Sequence, residues 1–136
     1  MKAVVCTALG KADQLHAVLK LMDWRSRAAG AGEVRVALHG AGCNFGDLLV
    51  VAGKYQAPLT PPFVLGTEGA GVVIGCGADV TDFRPGDRVL VQNNDVRECF
   101  ADEVTLPAQR VVPVPDGVAL LDVAGFPLNF GTSHYA

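Results

Sequence analysis

Three kinds of residue are scarce in this 136-residue chain, and each scarcity excludes something. Charged residues make up 18% of it and aromatics 7%, with a net charge of −3 and no basic cluster. A nucleic-acid-binding surface needs concentrated Lys and Arg to meet phosphates, so that class is set aside. With aromatics rare, a core must be built from Val, Leu and Ala. No apolar run reaches the ~20 residues that a membrane-spanning helix requires. The four cysteines, Cys6, Cys43, Cys76 and Cys99, are widely separated, and none lies in a C-x-x-C pair. Tight spacing is what a structural zinc site or a disulfide framework shows, so free thiols in a reducing cytoplasm are expected. A G-x-G-x-x-G turn opening a helix is also missing, and with it the phosphate loop of a dinucleotide-binding fold.

Half of the residues are hydrophobic, which suits one ordered domain with a core. Ala3–Cys6 reads as a first strand rather than a leader, because Lys11 and Asp13 cut the apolar stretch short. Glu33–His39 alternates with period two: Val34, Val36 and Leu38 take one face, Arg35, Ala37 and His39 the other. Leu15–Met22 is read as a strand and Arg25–Gly32 as a flexible connector. Gly40-Ala41-Gly42 reads as a break, Asn44–Val51 as a short helix, and Lys54–Pro62 as a proline-bearing loop. Gly71–Ile74, Arg88–Gln92, Phe100–Leu106 and Arg110–Val114 complete the strands, and Ala119–Ala124 forms a turn or two of helix. Short strands between Gly/Pro turns predict a mainly β fold, a barrel or a sandwich.

The densest signal lies between Val64 and Val91, where Gly66, Gly69, Gly71, Gly75, Gly77 and Gly86 punctuate β-branched runs. Such glycines mark positive φ or a close approach of backbones. Gly75–Asp79 and Arg84–Asp87 read as turns. Five pieces stand in order: the strand from Val34 with its Gly-x-Asn-x-x-Asp turn ending at Asp47, the G-x-Y of Gly53 and Tyr55, Pro-x-x-x-G-x-E-x-x-G from Pro62 to Gly71, F-x-x-G-D-R-V from Phe83 to Val89, and the strand Phe100–Val104. Together they resemble the N-terminal GroES-like domain of the medium-chain dehydrogenase/reductases. Cys99 stands where that family usually has glycine.

The resemblance implies a GroES-like, partly open β-barrel with short helices over 1–136, forming the substrate-side domain. It also implies a nucleotide-binding Rossmann domain that this chain lacks. Thr132–Ala136 resembles the start of the helix that leads into that domain, and the apolar stretch Val118–Ala136 suggests a face made to be covered. The chain is therefore expected to be a piece of a longer protein.

Zinc-dependent members of the superfamily carry a cysteine where this chain has Asn44 and a histidine where it has Thr67. Gln92–Glu98 is too short for the four-cysteine structural zinc lobe and holds no cysteine. This pattern is similar to the quinone oxidoreductase, zeta-crystallin-like branch, as is the segment Phe126–Thr132. The resemblance then implies hydride transfer from NADPH, held mainly by the absent domain, to a small-molecule quinone or enone, with no zinc. Asn44 and Thr132 are expected on the cofactor, with Phe45, Tyr55 and Asn129 on the substrate. Asp47, Glu68 and Arg88 are expected to support them: Asp47 by capping the helix that follows it, Glu68 through Arg88. Each residue has a plainer role as well: Asn44 as a turn residue, Thr132 as a helix N-cap, Tyr55 packed on prolines. A homodimer is an arrangement open to the full-length protein. Two other readings stay open, a stand-alone non-catalytic GroES-like binding module and a zinc alcohol dehydrogenase domain with displaced ligands such as Cys43.

Overall fold

The computed structural model describes residues 1–93 and 97–136. The middle of the Gln92–Glu98 segment thus lies outside the described residues. The strands are β1 (Lys2–Cys6), β2 (Leu19–Asp23), β3 (Glu33–Gly42), β4 (Phe63–Val64), β5 (Glu68–Cys76), β6 (Arg88–Gln92), β7 (Glu103–Pro107) and β8 (Val111–Pro113). The helices are α1 (Leu15–Val18), α2 (Phe45–Val51), α3 (Leu120–Val123) and α4 (Phe126–Tyr135). Two antiparallel sheets result, in the orders β2-β1-β4 and β7-β3-β5-β6-β8. They do not close into a full barrel. A bridge between Ala3 and Ala101, with Val4 N–H donating to the Phe100 carbonyl at 2.7 Å, joins them along one side.

The alternation in β3 has the expected consequence. Val34 and Val36 are fully buried and pack with Val73, Val89, Val91, Val104 and Leu106 between the strands of the larger sheet. A second cluster, of Cys6, Val18, Val50, Val51, Phe63 and Leu65, seats α1 and α2 against β1 and β4. Each fully buried side chain of this size contributes roughly 1.5–3 kcal/mol, so α2 is anchored by Val50 and Val51 rather than by its own short backbone.

Three expectations about elements need correction. β3 does not break at Gly40 but runs on to Gly42, paired with β5 as Gly40–Ala70, Ala41–Gly69 and Gly42–Glu68 after a register shift. The glycines there allow close backbone approach: a Cβ on Gly69 would lie 2.8 Å from the Gly40 carbonyl oxygen. Leu15–Met22 is half helix and half strand, because pairing of β2 with β1 begins only at Leu19. The final helix starts at Phe126, with Pro127 in its first turn where a missing N–H is harmless. The Arg25–Gly32 connector is irregular and tied down. Arg27 donates to Glu33 Oε1 at 2.8 Å and to the Thr105 carbonyl at 3.2 Å, and Ser26 donates to Glu103 at 2.8 Å.

Candidate functional site

The cleft forms where α2 begins, where β5 begins and where α4 begins. Asn44 takes the N-cap position of α2 with an extended backbone (φ −124°, ψ 159°). Its N–H donates to Asp47 Oδ2 at 2.7 Å, while the Asp47 N–H donates to the Asn44 carbonyl at 3.1 Å. Asp47 thus caps the helix from its third position, not from its start as expected. Burial raises the pKa of Asp47, against the lowering effect of its bonds from the Asn44 N–H and the Thr67 hydroxyl; the nearby Glu68 charge adds a smaller upward push. Thr67 Oγ1 donates to Asp47 Oδ1 at 3.4 Å.

Glu68 is fully buried, and both its oxygens are used. Oε1 accepts from Asn44 Nδ2 at 2.8 Å, and Oε2 accepts from the Leu128 N–H at 2.8 Å. A buried carboxylate requires such donors. The expected partnership with Arg88 is overturned. In the β5–β6 ladder Glu68 faces Gln92 and Arg88 faces Val72, four residues away, about 13 Å along a strand. Arg88 instead donates to the carbonyls of Pro115 and Val118, fastening the lead-in to α3.

Asn44, Phe45, Tyr55, Thr67, Leu128, Asn129, Thr132 and Ser133 line one cleft of about 350 Å³, together with Gly46. All five residues expected on cofactor or substrate are therefore in one place. Thr132 lies inside α4 and is not a helix cap. Phe45 is 73% exposed although it opens a helix. Asn129 Nδ2 donates to the Gly125 carbonyl at 3.0 Å, and Ser133 Oγ to the Asn129 carbonyl at 2.8 Å. Leu128 was not legible as a site residue, since it contributes a backbone N–H and no side-chain chemistry to Glu68. Ser133 also lines the cleft, and the signal for it is its place one residue after Thr132.

Cys43 is exposed and is not part of the lining. Cys99 is buried in the core of the larger sheet. Burial first, then the charges of Glu98, Glu68 and Asp47, push its thiol far above the usual range. Such a cysteine is inert filling.

Among the described residues, the lining holds amides, hydroxyls and apolar walls, and no Lys, Arg or His. It can orient a neutral polar ring between donors and acceptors. It offers nothing to a phosphate, which prefers cationic forks.

Comparison with known proteins places the architecture. The alcohol dehydrogenase GroES-like domain profile matches residues 30–116. Quinone oxidoreductase-like protein 2 of Rattus norvegicus is 37% identical over 135 residues, which are 97% of this chain and 35% of the rat protein. The crystal structure of the human synaptic vesicle membrane protein VAT-1 homolog-like protein is similar at a TM-score of 0.89 and 31% identity, covering 98% of this chain and 41% of that one. The quinone oxidoreductase of Thermus thermophilus, solved alone and with NADPH, is similar at a TM-score of 0.80 and 31% identity, covering 99% of this chain and 39% of that one. The chain thus spans well under half the length of these relatives.

Proposed function

This chain belongs to the alcohol dehydrogenase GroES-like domain family of the medium-chain dehydrogenase/reductases, and from that premise we propose that it is the substrate-side domain of a zinc-independent, NADPH-dependent reductase of quinones or activated alkenes. The observation that carries the proposal is the convergence of Asn44, Phe45, Tyr55, Asn129 and Thr132 on one uncharged cleft, with Glu68 bonded to two of its walls.

The donor set fits the nicotinamide end of the cofactor and not its phosphates. Asn44 spends its amide N–H on Glu68, which leaves Oδ1 as an acceptor for a ribose hydroxyl or the substrate. Thr132 offers a hydroxyl to a carboxamide. NADPH, when bound, supplies the hydride. Phe45 and Tyr55 give flat walls for a ring, and the Tyr55 hydroxyl is a donor for the oxygen that gains charge. Quinones accept electrons readily, so hydrogen bonds suffice where a poorer acceptor needs a metal. Asn44 and Thr67 do not suit zinc, which takes thiolate, imidazole or carboxylate. Their amide and hydroxyl are bonded to Glu68 and Asp47 instead.

Leu121, Phe126, Phe130 and Tyr135 are exposed on α3 and α4, and Phe126 stacks on Phe130 with ring centroids 4.4 Å apart. An apolar surface of this kind supports a covering partner, and we assign it to the nucleotide-binding domain. The purified 136-residue chain therefore does not turn over alone, while the longer protein oxidises NADPH when given a quinone. Sustained NADPH-dependent quinone reduction by the chain alone would contradict this division of labour.

A further inference from the structure

Beyond the cleft, on the other side of Phe45, lies a second and larger groove of about 600 Å³, within the ~300–1,000 Å³ range of small-molecule sites. Its walls are Leu9–Ala12 and Gln14 on one side, and Phe45, Leu48 and Leu49 of α2 with Ala52 and Lys54 on the other. They are held in place: the Gly10 N–H donates to the Val51 carbonyl at 3.0 Å, and Leu9 covers Gly53, where a Cβ would stand 2.9 Å from Leu9 Cδ1. The lining is apolar along its length, with Leu9, Phe45, Leu48 and Leu49. Lys11 and Lys54 are its charged residues. No acidic side chain lines it, and neither lysine makes an ion pair among the described residues.

We propose that this groove binds the aliphatic chain of the substrate, and that the chain ends in an anion. Phe45 borders both spaces, so a ring held in the cleft is placed to send its substituent over Phe45 into the groove. The apolar walls remove the chain from water, and the two lysines favour a carboxylate or a similar group at its end. The substrate class is thereby narrowed to quinones or enones bearing an acidic aliphatic tail. This rests on the cleft being the site of the ring.

The test is an amide chemical-shift titration of the isotopically labelled chain with three probes. Duroquinone is a ring without a tail, dodecanoate is a tail with an anionic end, and a trimethylbenzoquinone bearing an ω-carboxydecyl chain combines them. Dodecanoate is expected to shift amides at Leu9–Lys11 and Leu48–Lys54, and duroquinone those around Asn44 and Asn129. The tethered compound is expected to shift both sets and to bind at least about 10-fold more tightly than duroquinone, because the second contact becomes intramolecular. Ala52→Trp fills the groove and should abolish the dodecanoate shifts and the tail's added affinity, with duroquinone binding unchanged. Lys11→Gln with Lys54→Gln, at exposed positions, should weaken dodecanoate binding and leave duroquinone untouched.

Dodecanoate shifts that are absent or lie elsewhere, or a tail that adds no affinity, overturn the groove assignment while the cleft reading stands on duroquinone. Duroquinone that fails to shift the cleft overturns the cleft reading and the tether with it. Groove shifts that follow protein concentration without any probe give the groove to a second copy of the chain and overturn the proposal.

Discussion

At the scale of single residues, Glu68 organises the site. Its two oxygens bind one donor from the cap of α2 and one from the first turn of α4, so it joins the wall carrying Asn44 and Phe45 to the wall carrying Asn129 and Thr132. Glu68→Ala leaves both donors without their partner, and an orphaned buried donor costs about 1–3 kcal/mol. Exchange of the Leu128 amide hydrogen should therefore speed by at least about 10-fold in that variant, read by native-state hydrogen exchange. Exchange unchanged from wild type would remove Glu68 from this role. Gly42 lies against the same carboxylate. A Cβ there would run into Glu68 Oε1 and stand 2.7 Å from the Gly125 Cα. Gly42→Ala should cost about 1–3 kcal/mol in urea denaturation, the usual range for overpacking. The sequence sets Glu68 between Gly66 and Gly69, and the resemblance gives it a supporting role through Arg88. Its donors are not shown there, because both are distant in the chain and one is a backbone N–H.

At the scale of elements, β3 is the spine, and its start is secured by a charged clip. The Arg27 guanidinium, helped by the Gly30 N–H, lowers the Glu33 carboxyl from 4.5 to about 2. A carboxylate with a lowered pKa stabilises the fold above its unfolded value and loses that contribution as pH falls through its folded value. Wild type should thus exceed Glu33→Gln in urea midpoint near neutral pH, with the gap closing between about pH 4.5 and 2. The pair is partly exposed, so the gap should be small and should shrink in high salt. Asp47 acts in the opposite sense. Its raised pKa favours the folded state at low pH and costs stability as pH climbs past its unfolded value. Elements with local signals were legible: the alternation of Glu33–His39, the Asn44 start of α2, and Arg88–Gln92, which the structure reproduces to the residue. The elements that were misjudged depend on distant partners. The last three residues of β3 carry no period of their own and are strand only because β5 pairs with them, Ala70 and Gly69 standing opposite Gly40 and Ala41 and Glu68 opposite Gly42. Likewise, β2 exists because β1 is beside it. The start of α4 carries a local signal, Pro127 in its first turn.

At the scale of the whole molecule, two open sheets carry α2 and α4 at one end, and a cleft with neutral polar walls lies between them. This is the GroES-like architecture of the family, and five of the residues singled out in the sequence meet in the cleft. The Glu68–Arg88 contact is the part of the expected site that fails, for reasons of strand register. The exposed apolar side chains of α3 and α4 mark the face assigned to a second domain. The proposed zinc independence belongs at this scale as well, because it concerns how the proposed longer protein stabilises charge. The most direct measurement is the rate of quinone-dependent NADPH oxidation by the longer protein containing this domain, after exhaustive treatment with a zinc chelator, for wild type and Asn44→Ala. The account predicts full turnover by chelated wild type and a loss in Asn44→Ala of roughly 10-fold or more in kcat/KM, as removing one such hydrogen bond implies. Activity that vanishes with the chelator and returns with zinc, or an Asn44→Ala protein as fast as wild type, would contradict it.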